Sequence, residues 1–416
     1  GDEVLLQYLV TSRYIYGWAI SKRGVDWRRI ELSRRNLRRA VQALRCGLDP
    51  TEWIGETKPA RCFDLIGRFV EGPQLPFSTH HAHLLYDKLI KPFDAFLAGR
   101  KLLVVGSDAL ARLPLHLLLT APVADDASET LRNAPWLVRR HAVTDYPSVS
   151  SFVILRGERT SAALQTAAAQ RTRRPYFAVA NPLLVGADGT NRSAFAVKGC
   201  PPATARPAAE QVATAVGSLK TYFRGGKPDI KLLRRLEPLP ETAAEVCAVA
   251  RDLGVPLNGL LLGEAATETA IRKMDKDGNG LERYRVIHFA THGLVSGEVS
   301  GVVEPALVLS PPAAATPQDD GLLTASEVAE LKLDAEWVIL SACNTAAGTG
   351  YGADALSGLA RSFFYAGARS LLVSHWPVRS DAAVALTTRA IATLKTSPST
   401  GRSVAMRQAM LSVISD

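Results

Sequence analysis

The chain opens on three runs rich in β-branched and aromatic residues, Leu5 to Val10, Tyr14 to Ile20 and Val25 to Leu32, broken by Ser12-Arg13 and by Lys22-Arg23-Gly24. Runs of this kind with turn residues between them predict a small antiparallel meander. Ser33 then fits an N-cap, and Leu37, Val41 and Leu44 place one apolar stripe on the helix that follows. The opposite face carries Arg34, Arg35, Arg38 and Arg39 and reads as a solvated surface. A helix from Leu84 to Leu97 comes next, then a buried strand from Leu102 to Val105 that feeds the loop Gly106-Ser107-Asp108. A first α/β unit closes with Leu131 to Leu155.

The character changes at residues 156–174, where Arg156-Gly157-Glu158-Arg159 leads through an Ala, Thr and Gln stretch to Arg171-Thr172-Arg173-Arg174-Pro175. This reads as a linker or exposed loop. From Pro175 onward strands and helices alternate. Strands are predicted at Tyr176 to Ala180, Arg285 to Ala290, Trp337 to Ser341 and Ser370 to His375. Helices are predicted at Thr242 to Leu253, Thr267 to Met274 and Asp354 to Ala366. Alternation of this sort predicts a mostly parallel sheet covered by helices on both faces, an α/β fold. The expected division is a lobe over 1–160, a linker over 161–174 and a second lobe over 175–416.

Composition narrows the class without changing the architecture. Of 416 residues 47% are hydrophobic and 21% charged, which excludes disordered and fibrous chains. The net charge of +9 is mild for this length, so nucleic acid is not indicated. No run approaches the apolar length of a membrane span and no signal peptide is visible, so the reading is a cytoplasmic protein with no membrane association. The five scattered cysteines, Cys46, Cys62, Cys200, Cys247 and Cys343, suit reduced thiols better than a disulfide framework. His80, His81 and His83 cluster without a carboxylate at helical spacing, so they read as structural or surface residues, and neither a metal nor a cofactor is expected.

Candidate chemistry gathers at two strand ends. Val286-Ile287-His288-Phe289-Ala290-Thr291-His292-Gly293 and Val338-Ile339-Leu340-Ser341-Ala342-Cys343-Asn344-Thr345 each deliver a reactive side chain at the carboxyl end of an apolar run. In open parallel sheets sites are built on that edge. Cys343 follows His292 by 51 residues, enough for one crossover connection, so the two strands can lie side by side. A nucleophile and acid/base pair is one reading, and a small buried Cys with a satisfied His is the other. His288, deeper in its strand, reads as a hydrogen-bonded core residue.

Ordered motifs then carry a resemblance. His-Phe-Ala-Thr-His-Gly at 288–293, Asp320-Gly321-Leu322-Leu323-Thr324-Ala325 with Glu327, Leu340-Ser341-Ala342-Cys343-Asn344-Thr345, Gly358-Leu359-Ala360-Arg361, Tyr365-Ala366-Gly367-Ala368-Arg369-Ser370 and Trp376-Pro377-Val378 closely resemble the CHAT domain family. Its members are caspase-like cysteine peptidases related to separases. Weaker similarity runs upstream through Leu110 to Pro114, Tyr146-Pro147-Ser148, Asn181-Pro182 and Leu236 to Thr242.

The resemblance implies a caspase-like sheet flanked by helices, preceded by a degenerate caspase-like lobe. It implies a cysteine endopeptidase with Cys343 as nucleophile and His292 as proton carrier, and an oxyanion site on the N–H groups of Gly293 and Cys343. It implies protein substrates cut after a basic residue, and a regulatory protein or repeat domain outside this chain. Relatives carry an acid after the Trp-x-Val element. Here Arg379 and Ser380 stand at the positions often acidic, so Asp381 is either the substrate-binding acid or the N-cap of the next helix, and Asp354 carries the same two readings. Trp376 joins the substrate-binding candidates. Arg171 to Arg174 offers a self-cleavage site under that preference. The alternatives are a catalytically silent scaffold that binds a partner, and a thiol-dependent enzyme acting on a small acyl or amide substrate.

Overall fold

A computed structural model of the protein describes residues 2–72, 74–163, 173–185, 200, 223–224, 227–228, 230–276, 280–294, 304–316, 318–341, 358–376 and 378–416. These fall into two compact units. The first takes the chain up to Arg156 together with Ser397–Asp416, and the second lies within Gly157–Thr349 and Leu356–Thr396. The C-terminal segment was expected in the second lobe. Its helix instead packs with the first unit, where Arg407 donates to the carbonyls of Val138, at 2.7 Å, and Arg139.

The predicted meander is present as β1 (Glu3–Val10), β2 (Ile15–Ser21) and β3 (Gly24–Ile30), in a sheet completed by β4 (Lys101–Val105) and β5 (Val143–Asp145) in the order β3-β2-β1-β4-β5. Alternation along β1 buries Val4, Leu6, Tyr8 and Val10 on one face. That face is covered by α1 (Arg34–Cys46) through Leu37, Val41 and Leu44, and by α3 (Thr79–Leu89), with α2 (Lys58–Ile66) between them in sequence. Ser33 caps α1 by accepting from the Asn36 N–H at 3.2 Å. The arginine face is more than a solvated surface, since Arg38 grips Asp108 with two hydrogen bonds of 2.8 and 2.6 Å and Arg34 lies 3.6 Å from the same carboxylate. The single helix expected from Leu84 to Leu97 breaks after Leu89 because Pro92 has no N–H to continue it. The histidines are structural: His81 pairs with Ser78 at 2.8 Å and His83 with the Leu119 carbonyl at 3.0 Å.

The expected linker begins as helix, since α4 (Val149–Ala163) covers its first residues, and 164–172 lie outside the described residues. Arg173 and Arg174 lead directly into a strand. Arg174 starts β6 (Arg174–Pro182), paired to Tyr284, and the Arg173 guanidinium, about nine-tenths buried, holds the Asp334 carbonyl. Arg173 is partly buried and Arg174 is exposed at the start of the strand, while Arg171 and Thr172 lie outside the described residues.

The second sheet consists of β6, β7 (Leu261–Gly263), β8 (Tyr284–Ala290), β12 (Trp337–Leu340) and β13 (Leu371–Leu372), all parallel, in the order β13-β12-β8-β6-β7. The last strand is shorter than the predicted Ser370 to His375. A smaller antiparallel sheet joins β9 (Gly293–Leu294), β10 (Ala306–Val308) and β11 (Leu322–Thr324). One face of the parallel sheet carries Phe177, Val179, Ile287, Phe289, Val338 and Leu340 into a core with Leu359 and Phe363. The other face presents Ala178, Ala180 and Ala290, small enough for α5 (Pro240–Asp252) to lie close over β6 and β8. The remaining helices are α6 (Glu268–Lys276), α7 (Ala325–Glu330), α8 (Gly358–Tyr365), α9 (Ser380–Thr396) and α10 (Arg402–Ser415).

The thiol expectation is corrected outright. Cys46 at the end of α1 is bonded to Cys62 in α2, and Cys200 to Cys247 in α5. Chain folding sets both pairs of Cα atoms 5.7 Å apart, within disulfide reach, although their separations of 16 and 47 residues give no sequence signature.

Candidate active site

The parallel sheet gathers its polar residues on one edge because all its strands end there. β8 is the middle strand, flanked by β6 and β12. His292 follows β8 by two residues, and Thr291 before it is fixed by donating to the Val308 carbonyl at 2.5 Å.

The half-buried His292 ring is anchored on its far side: Nε2 lies 2.7 Å from the Glu237 carbonyl oxygen. A carbonyl only accepts, so Nε2 carries a proton and, in the neutral ring, Nδ1 keeps its lone pair. The carbonyl is supplied by the segment Leu236-Glu237-Pro238-Leu239-Pro240, where Pro238 drives Glu237 toward extended backbone and Pro240 opens α5. Burial strips hydration from the charged ring and holds its pKa below the ordinary 6.5, a pull that the Glu237 carbonyl and the Glu241 and Glu237 charges oppose without reversing. The ring is therefore neutral at pH 7.

Gly293 begins β9 opposite Leu307, while the His292 carbonyl accepts from the Val308 N–H at 2.9 Å. Pairs alternate along an antiparallel ladder, so Gly293 takes the position whose N–H points away from β10. On the third strand, β12 ends at Leu340, and the Ser341 N–H extends the ladder by donating to the Phe289 carbonyl at 2.9 Å. Ser341 precedes Cys343 by two residues. Cys343 and Asp354 both lie outside the described residues.

The substrate-binding candidates are placed differently from one another. Trp376 follows β13, two strands away from β8, with its ring 6.0 Å from that of His375. Asp381 lies in the first turn of α9, about half exposed, and both its oxygens are taken by Arg379, at 3.0 and 2.8 Å. That pairing holds its carboxyl below the usual range. Among the described residues no cluster of His, Cys, Asp and Glu is arranged to hold a metal, and no helix is long and apolar enough to cross a membrane.

Sequence reasoning missed the anchoring carbonyl of Glu237 and the buried carboxylate of Glu245, which accepts from Ser341 Oγ at 2.7 Å. The first leaves no signal, because any residue has a carbonyl. The second did leave one: a lone Glu inside Ala243-Ala244-Glu245-Val246-Cys247 sits where a helix turns its apolar side to a sheet.

A parallel sheet flanked by helices, with an anchored neutral imidazole on its carboxyl edge beside the strand that leads to a cysteine, defines a caspase-like α/β protein. The chain belongs to the CHAT domain family, whose model matches residues 79–416, from α3 to the C-terminus. The family is related to the caspase-like cysteine peptidases. No curated protein matches the chain.

Proposed function

We propose that the protein is a cysteine endopeptidase in which Cys343 attacks a peptide carbonyl and His292 handles the protons. The observation that carries this reading is the orientation of His292. With Nε2–H spent on the Glu237 carbonyl, the ring turns an unprotonated Nδ1 to whatever stands opposite, which is what a general base for a thiol requires. After attack the sulfur is bonded to the carbonyl carbon, and the oxyanion is met by N–H donors; the Gly293 N–H, which points away from β10, supports its reading as one of them. His292 then passes the thiol proton from Nδ1 to the leaving amine, and water hydrolyses the acyl-enzyme to regenerate Cys343.

A preference for a basic residue before the cut rests on the resemblance to the family. Asp381 is paired with Arg379, so a substrate Arg or Lys would gain that acid only by displacing Arg379. Control by an activating partner belongs to the same proposal, whereas the Cys46–Cys62 and Cys200–Cys247 disulfides favour an oxidising compartment over the cytoplasm. The test is a fluorogenic peptide set with Arg, Lys, Asp or Leu before the scissile bond, read with wild type, Cys343→Ala and His292→Ala. Cleavage abolished in Cys343→Ala and lowered by about a hundredfold or more in His292→Ala is expected. Full activity in Cys343→Ala would overturn the mechanism.

A further inference from the structure

Behind the site, four polar side chains from four elements form one buried chain. Tyr176 (β6) and His288 (β8) meet with the phenol oxygen 2.8 Å from Nδ1. His288 Nε2 lies 3.0 Å from Ser341 Oγ, past the end of β12, and Ser341 Oγ donates at 2.7 Å to Glu245 Oε1 on α5. Tyr176, His288 and Glu245 are 2%, 0% and 1% exposed. The proton positions follow from the acceptor at the end. A carboxylate only accepts, so Ser341 spends its hydrogen on Glu245 and accepts from Nε2–H, which itself lies 3.4 Å from Glu245 Oε1; with a single ring proton Nδ1 is left to accept from Tyr176. Burial, reinforced by the charge of Glu245, pushes the phenol well above its ordinary range, consistent with a donor that keeps its proton. The chain therefore runs one way, Tyr176 to His288 to Ser341 to Glu245.

Nothing in a sheet core calls for this arrangement. Ala178, Ala180 and Ala290 on the same face show that α5 packs there on small apolar residues, and buried polar groups are costly unless fully satisfied. The chain ties β8 and the end of β12, the two strands that lead to His292 and Cys343, to their neighbours β6 and α5. It holds Ser341, two residues before Cys343, against the strand that ends two residues before His292, and fastens both to the helix that begins three residues after Glu237. We propose that Tyr176, His288, Ser341 and Glu245 are positioning residues that fix the strand end leading to Cys343 relative to His292. This deepens the peptidase reading and rests on it.

The test uses Ser341→Ala, Ser341→Thr, Tyr176→Phe and Glu245→Gln beside wild type and His292→Ala in the full chain. Two readouts are taken: kcat and KM on the best cleaved peptide, and the rate at which iodoacetamide alkylates Cys343, which needs no turnover. Ser341→Ala is expected to lower both kcat and the alkylation rate by about tenfold or more with KM within about twofold, as misplacement of a reacting group does. Tyr176→Phe, which keeps the packed ring, should do the same to a smaller extent, and Ser341→Thr, which restores the hydroxyl, should recover most of the loss. Glu245→Gln combined with Ser341→Ala should cost no more than Ser341→Ala alone, since they interrupt one chain. If His292→Ala slows alkylation while folded Ser341→Ala and Tyr176→Phe do not, the positioning role is overturned and the peptidase reading stands. If His292→Ala leaves alkylation unchanged, the Cys-His pair itself fails, and this proposal with it.

Discussion

Glu268, the first residue of α6, accepts at Oε2 from the N–H groups of Asp320 and Gly321, at 2.7 and 3.0 Å. Two such bonds and a helix N-terminus favour a carboxylate. Burial outweighs them and, with Glu327 and Asp320 nearby, lifts its pKa from 4.5 to about 8, even with Arg272 Nη2 3.7 Å from Oε1. The folded pKa is the higher one, so the folded state binds the proton more tightly than the unfolded state, and the stability it contributes is full below 4.5 and is lost as pH rises toward about 8. Glu268→Gln, which keeps the acceptor and removes the titration, is expected to flatten the decline of melting temperature between pH 5 and pH 8 measured by thermal denaturation; curves that stay parallel to wild type would contradict this. His292 obeys the same desolvation rule with opposite sign, because its charged form is the protonated one.

At the scale of elements, Cys46–Cys62 ties α1 to α2, and Cys200–Cys247 fastens α5, the helix that carries Glu245. A thiol titration in denaturant without reductant should therefore find one thiol per chain and, after reduction, all five cysteines; five thiols from the start would contradict both pairs. The residues show why the strands were legible in the sequence and these links were not. Local composition and periodicity declare themselves: the run Leu5 to Val10 and the stripe of Leu37, Val41 and Leu44 placed β1 and α1, and continuous apolar runs placed β6, β8 and β12. Even the motif from Asp320 to Glu327 has a local reason, since Thr324 and Glu327 form a reciprocal capping box at the start of α7. Cys200 and Cys247, the Glu237 carbonyl and His292, and Glu245 and Ser341 are instead partners brought together only by the finished topology. The contacts of Arg173 with Asp334 and of Arg174 with Tyr284 are likewise long-range and left no local mark.

Across the whole molecule, the family match begins at residue 79, so β1 to β3, α1 and α2 lie ahead of it although they form one compact unit with β4 and β5. The candidate residues His292 and Cys343 both fall in the second unit. There Glu237 sets the tautomer of His292, and β12, the strand beside β8, ends three residues before Cys343 in the sequence. The account stands on that imidazole acting on that thiol. The direct measurement is the rate of covalent labelling of Cys343 by an electrophilic peptide, followed by mass spectrometry from pH 4 to pH 9 in wild type and His292→Ala. The account predicts labelling whose acid limb lies below 6.5, the ordinary histidine value, and which His292→Ala slows by about tenfold or more at pH 7. Labelling at one common rate in both proteins, with the profile of a free cysteine near pH 8.5, would contradict it.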